Sequence, residues 1–380
     1  MRNEQAAPAS PNRQADEDRT RLEALVRTTC RRSPSSIERV PAGLGTRRFY
    51  RIRFPTDEPR SLIARIEPAP SSTREPDPDE PPTWLSEPAL EPLRQFLEDA
   101  GLRVPHCFAH LPDQGVDLLE DVGGCTLMDV DGQRKIEFYR EACSIVPRLQ
   151  ALSANADQIP AFGRNFDRDL IETKAWKWLH WTIPGLLDRP ASREEETSLR
   201  CVFDGIATLL EDAPRRLAHR DFKAENLHLI REPVADAIAS QEPIEQIVMI
   251  DVQGAFMAPP EYDLVCLLYD LQVDLDEDFA MDCFHRTLPK LPDPIDPALA
   301  ALRFDAIATV RLCKDISHLI HAGRIRGDLR RWHEIPRGLA LLKRAAGRLT
   351  RTFPEIGVLN SVIPALTLAA GSSDSARQGR

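Results

Sequence analysis

Apolar positions along the chain switch between two periods. Leu199, Val202, Phe203, Ile206, Leu209 and Leu210 recur at helical spacing until Pro214, and Ser192-Arg193-Glu194-Glu195 ahead of them has the form of a capping box. Phe138, Tyr139, Ala142, Ile145, Val146, Leu149 and Leu152 mark a second amphipathic helix, and residues 264–271 a third. Leu90, Leu93, Phe96 and Leu97 predict a helix over residues 87–100, stopped by Gly101. Shorter apolar or alternating runs at 49–54, 62–66, 116–122, 227–230 and 246–250 read as strands. Strands therefore crowd the first third, and helices dominate the remainder.

Between these elements the pattern breaks down. Residues 1–20, rich in Asn, Gln, Ala, Pro and charge, read as a disordered arm, and 366–380 as a disordered tail. Residues 67–83 form a Pro- and acid-rich insertion unable to pack as helix or strand, and 231–245 connect two strands. The predicted organisation is a small lobe over 21–122 and a helical lobe over 123–365.

A length of 380 residues with 42% hydrophobic content suits a two-lobed globular enzyme. The formal charge of −10, without a Lys/Arg cluster interleaved with aromatics, argues against a nucleic-acid partner. Eight cysteines without a Cys-x-x-Cys pair indicate neither a zinc site nor a disulfide framework, as expected of reduced thiols in a cytoplasmic protein. The longest weakly polar run near the end, residues 362–370, is too short to span a bilayer, so no membrane partner is expected.

The chemistry concentrates in His219-Arg220-Asp221-Phe222-Lys223-Ala224-Glu225-Asn226 and Ile250-Asp251-Val252-Gln253. Transfer of a γ-phosphoryl group needs a carboxylate to orient the acceptor hydroxyl and hard oxygen ligands to hold Mg²⁺ on the phosphates. Asp221 suits the first task, and Asn226 with Asp251 the second. A lone His-x-Asp is more often a surface or capping pair. The ordered set, between a helix and two strands, is what points to phosphoryl transfer. His219 reads as a packed residue that fixes the loop backbone.

With Tyr262-Asp263-Leu264 added, these motifs resemble the aminoglycoside phosphotransferase and choline-kinase-like branch of the kinase superfamily. The resemblance implies an α+β, bilobal, protein-kinase-like fold, with a small antiparallel β lobe and a larger, mainly helical lobe. It implies ATP and Mg²⁺ as cofactors and a small-molecule acceptor bearing a hydroxyl group. Lys223 would touch the γ-phosphate, a solvated loop lysine being the alternative. Asp263 would support the catalytic-loop backbone, with Gln253 beside the metal-binding Asp251. In the small lobe Gly43, Gly45 and Thr46 would lie over the phosphates, and Arg65 would pair with them. Either Glu87 or Glu91 would pair with Arg65. Main-chain groups of the hinge, from Glu120 to Val122, would hold the adenine edge.

Protein kinase is the nearest rival, but Pro259-Pro260-Glu261 follows Asp251 within ten residues and leaves no room for an activation segment. Phe166-Asp167, Leu170-Ile171 and Trp176, Trp178 and Trp181 further resemble bacterial anomeric kinases of N-acetylmuramate and N-acetylglucosamine, which serve cell-wall recycling. The chain departs from them in carrying Glu172-Thr173-Lys174-Ala175 where they have a Glu-rich stretch. Helical spacing makes at least two of the tryptophans core residues. His180, Trp181 and Arg324 are the candidate acceptor contacts. Aminoglycoside, choline or homoserine remain alternative acceptors, and a pseudokinase binding module is the alternative of another class. Retention of Asp221, Asn226 and Asp251 together favours catalysis.

Overall fold

A computed structural model of the chain describes residues 11–41, 47–55, 59–67, 88–232 and 244–378. Gly43, Gly45, Thr46 and Glu87 lie outside the described residues, as do 68–83 of the Pro-rich insertion and 233–243. The chain divides into two compact units, Met1–Glu75 with Pro105–Gly123, and Pro76–Val104 with Gly124–Arg380.

The first unit contains a helix, α1 (Pro11–Cys30), and an antiparallel sheet of β1 (Ser36–Val40), β2 (Arg48–Arg53), β3 (Ser61–Ile66), β4 (Cys107–Leu111) and β5 (Val116–Glu120), in the order β1-β2-β3-β5-β4. Alternation in β2 sends Tyr50 and Ile52 inward, where they meet Leu62, Ala64 and Ile66 of β3. The arm expected over 1–20 is corrected here, because α1 already includes residues 11–20. Leu22, Leu25 and Val26 of α1 complete the sheet's core, and buried Asp18 accepts from Arg48 Nε at 2.6 Å and Tyr50 Oη at 2.8 Å. A composition that reads as disordered is thus anchored by one apolar stripe and one buried carboxylate.

In the second unit, α2 (Leu93–Asp99) begins later than expected, after Pro92, a residue that fits a helix only at its first turn. It ends where Gly101 adopts φ 74°. By contacts this segment belongs to the larger unit rather than to the small lobe in which the sequence placed it. The helices α3 (Gly132–Gln150), α4 (Arg168–Lys177), α5 (Ile183–Leu187) and α6 (Arg193–Glu211) follow. The predicted capping box of α6 is present, with Ser192 and Glu195 bonded reciprocally. Next come two short antiparallel pairs, β6 (Arg216–Ala218) with β9 (Phe256–Ala258) and β7 (Leu227–Glu232) with β8 (Ile244–Met249). The unit closes with α7 (Tyr262–Leu268), α8 (Glu277–Thr287), α9 (Pro297–Ile325), α10 (Ile335–Leu349) and α11 (Gly357–Gln378).

Two further expectations need correction. The tail from residue 366 is helical to Gln378 as part of α11. Residues Pro354–Gly371 reach a mean hydropathy of 1.2, the one helical stretch among the described residues long and apolar enough to cross a membrane by length and composition. Packing accounts for part of its apolarity, since Leu359, Val362, Ile363 and Leu366 are buried and α11 packs on α5, α6 and α10, while Leu368 is exposed. Of Trp176, Trp178 and Trp181, only Trp178 is fully buried, while the other two stay half-exposed. Trp176 stands two positions before Trp178 and so on another face of the helix, and a π-helical turn at Trp178–Thr182 shifts the register between Trp178 and Trp181.

Candidate active site

The loop bearing Asp221 is fixed through its backbone. It leaves β6 through Arg220, which adopts φ 80°, and the strained turn is held by Asp263 at the start of α7. Asp263 accepts the amide of His219 at 2.7 Å and that of Arg220 at 3.1 Å. His219 Nε2 bonds the Ile250 carbonyl at 2.9 Å, tying the loop to the end of β8, so it acts on loop geometry. Further along, the Ala224 amide donates to Asp270 at 3.1 Å. Burial pushes both Asp263 and Asp270 up to about 6, against the pull of those amides.

Asp221 itself stands in a field of cations from α9. Arg311 donates through one nitrogen to the Arg220 carbonyl at 2.8 Å and through another to Asp221 Oδ1 at 3.1 Å, and Lys314 Nζ lies 3.9 Å from the same oxygen. Burial opposes the charge on Asp221, but Lys314, Arg311, Arg220 and Lys223 outweigh it and hold the carboxyl well below its ordinary range. The group is therefore held as a carboxylate. Lys223 pairs with Glu225; burial works against its charge, but Glu225 and Asp221 raise it above the ordinary lysine value.

Asn226 and Asp251 meet at one end of the β7–β8 hairpin. Leu227 pairs with Met249, and the Ile250 amide donates to the Asn226 carbonyl at 3.0 Å, which leaves the next residue, Asp251, beside Asn226. Asn226 Nδ2 donates to the Asp221 carbonyl at 2.8 Å, so its side-chain oxygen faces the other way as an acceptor. Asp251 adopts φ 62° and receives Gln253 Nε2 on Oδ1. Two hard oxygen donors at one hairpin end, with a second carboxylate, Asp221, tethered to Asn226 through the loop, fit a divalent cation such as Mg²⁺.

In the first unit, Arg65 of β3 lies opposite Asp117 of β5, and the two side chains pair at 2.7 Å. Arg65 also pairs with Glu67, while Glu91 is engaged by Arg94. Of the two partners expected for Arg65, Glu91 is taken by Arg94 and Glu87 lies outside the described residues; the antiparallel β3–β5 register is the signal for Asp117. At the hinge, the Glu120 amide is taken by the His106 carbonyl at 2.8 Å, and Val122 is buried.

The family model for a phosphotransferase enzyme family, APH, matches residues 36–302. The chain belongs to this family. Such phosphotransferases are kinases with hydroxyl acceptors, and the motifs at Asp221 and Asp251 both fall inside the match. An N-acetylmuramate/N-acetylglucosamine kinase of Pseudomonas aeruginosa is 24% identical over 283 residues, covering 72% of this chain and 77% of that protein. The kinase of the same name from Neisseria meningitidis serogroup B is 23% identical over 181 residues, half of its own length. Among solved structures, a choline kinase from Streptococcus pneumoniae superposes with a TM-score of 0.55 at 14% identity, covering 89% of this chain and 99% of that one. An aminoglycoside 2′-phosphotransferase bound to GDP does so with a TM-score of 0.54 at 16% identity, covering 88% and 99%. These likenesses show a kinase-like α+β fold.

The three residues expected to touch the acceptor in this phosphotransferase are placed differently from one another. His180 is exposed and stacks on Trp176 with centroids 4.4 Å apart. Trp181 lies half-exposed against His321 at 4.2 Å. Arg324 is committed to structure, donating to the Gly185 carbonyl at 2.6 Å with its guanidinium 5.7 Å from the Trp332 ring. The sequence reading missed Arg311, Lys314 and Asp315 altogether. Asp315 pairs with Lys314 at 3.0 Å and Arg311 at 3.5 Å. Their signal was a charged stripe within the long apolar run of α9.

Proposed function

We propose that this small-molecule kinase transfers the γ-phosphoryl group of ATP, with Mg²⁺, to a hydroxyl of an amino sugar of the N-acetylmuramate/N-acetylglucosamine type. The observation that carries the reading is the fixed placement of Asp221 beside Asn226 on a loop held by Asp263 and Arg311. The names of the two curated relatives favour an amino sugar over aminoglycoside, choline or homoserine. Retention of Asp221, Asn226 and Asp251 favours turnover over a binding module.

Asp221 accepts a hydrogen bond from the acceptor hydroxyl and aims its oxygen at the γ-phosphorus. As the new O–P bond forms, the bond from the γ-phosphorus to the β–γ bridging oxygen breaks, ADP departs, and the hydroxyl proton passes by way of Asp221 to solvent. Asn226 and Asp251 hold Mg²⁺, which when bound neutralises charge on the β and γ phosphates. Lys223 stands close to Asp221 and serves the γ-phosphate. In the first unit Arg65 is the cation for the triphosphate, with Asp117 fixing its plane. Main-chain groups from Glu120 to Val122 take the adenine edge, the Glu120 amide excepted because it is bonded to the His106 carbonyl.

A coupled ADP-release screen with ATP and Mg²⁺ tests this against N-acetylmuramate, N-acetylglucosamine, an aminoglycoside, choline and homoserine. Acceptor-dependent turnover with an N-acetylated sugar is expected. Turnover with choline or an aminoglycoside alone contradicts the acceptor assignment, and none with any acceptor contradicts catalysis.

A further inference from the structure

Lys174 and Lys177 lie one turn apart on α4, which packs against α9; the groups acting on them are mostly cations, and Asp315, the carboxylate that Lys177 feels, is already paired with Lys314 and Arg311. Lys177 Nζ bonds His318 Nε2 at 2.9 Å, which requires a neutral imidazole. Lys174 is only 5% exposed, donates to the Leu170 carbonyl at 3.3 Å and lies 4.6 Å from the Phe166 ring centroid. Among the described residues neither ammonium group has a carboxylate at ion-pair distance. One and two turns back along α9 from His318, Lys314 and Arg311 already share Asp221 and Asp315.

Burial, then repulsion from Lys314 and Arg220, pushes Lys177 down to about 8, Asp315 offsetting this only in part, and the same causes hold Lys174 well below its ordinary value. His318 is likewise held well below its ordinary value by burial, then by Lys177 and Lys314. Arg220 and Lys314, the cations this pair feels, each stand 3.9 Å from an oxygen of Asp221. Uncompensated ammonium groups are costly to bury, and an incoming anion relieves that cost.

We propose that Lys174 and Lys177 read an anionic substituent on the acceptor, a carboxylate or a phosphate ester, beside the hydroxyl that Asp221 orients. The inference rests on the sugar-kinase reading and narrows it to acidic sugars. The same field repels cationic acceptors such as choline and aminoglycosides. Trp181, partly exposed with Lys177 Nζ 5.4 Å from its ring, stands next to the charge.

Titration calorimetry of the full chain with N-acetylmuramate, N-acetylglucosamine 6-phosphate and neutral N-acetylglucosamine tests this whether or not transfer follows. At least one acidic sugar is expected to bind ~10-fold more tightly than N-acetylglucosamine, and which one does so separates carboxylate from phosphate ester. Lys177→Gln is expected to collapse that ratio, and Lys177→Arg to restore most of it, with ATP affinity the same in all three proteins. Equal binding of all three sugars, binding of none, or an equal loss of ATP affinity in Lys177→Gln overturns the proposal. The wild-type ratio decides the matter even where a variant folds poorly. Selective binding of an acidic sugar without ADP release contradicts the kinase reading alone.

Discussion

Arg311 grips Asp221 from α9, donating to its Oδ1 at 3.1 Å while a second guanidinium nitrogen holds the preceding carbonyl at 2.8 Å. The two bonds set the carboxylate's position and its backbone together, a task that needs a planar fork. Lysine supplies the charge without the fork. Arg311→Lys is therefore expected to lower kcat by ~10- to 100-fold with ATP affinity retained. Steady-state kinetics with separate nucleotide titration checks this, and unchanged kcat contradicts the positioning role.

Glu261 carries a pH-dependent cost. It is fully buried, neither carboxyl oxygen has a hydrogen-bond partner among the described residues, and burial pushes it up to about 7. A carboxyl raised from 4.5 in this way contributes stability below its unfolded value, and that contribution is lost as pH rises through about 7. Glu261→Gln does not titrate. Its unfolding free energy relative to wild type is expected to rise between pH 5 and pH 8, by an amount on the order of 2 kcal/mol, read from denaturant unfolding. A difference that stays constant over that range contradicts the assignment.

Asp18 joins α1 to β2 through Arg48 and Tyr50. Asp18→Ala leaves a buried phenol and a guanidinium without their acceptor, a loss of about 1–3 kcal/mol. Removal of residues 1–20 should cost at least as much, since half of α1 goes with it. Thermal melting of both proteins measures the effect. A truncated chain that melts with wild type would show that α1 is dispensable.

The candidate loop could be singled out because its residues are local: Asp221, Lys223 and Asn226 share one short segment, and Asp251 follows a readable strand. The supports that act across the fold were legible only in part. Asp263 was found through its motif, but Arg311 and Lys314 lie some ninety residues from the loop on a helix that reads as core. The π-helical turn at Trp178–Thr182 breaks the periodicity on which the tryptophan assignment relied. The amino-terminal helix was masked by composition, although Leu22, Leu25 and Val26 already stand at helical spacing. Arg65 found its partner through strand register, which single-strand patterns do not carry.

The central claim is that Asp221 places an acceptor hydroxyl for in-line transfer without taking part in nucleotide binding. Asp221→Asn keeps the shape and one acceptor oxygen but removes the charge that Arg311 and Lys314 stabilise. Acceptor-dependent ADP release by this variant is the direct measurement, with ATP affinity followed by calorimetry. A fall in kcat of ~10²- to 10⁴-fold with unchanged ATP affinity is predicted; turnover equal to wild type would contradict the account.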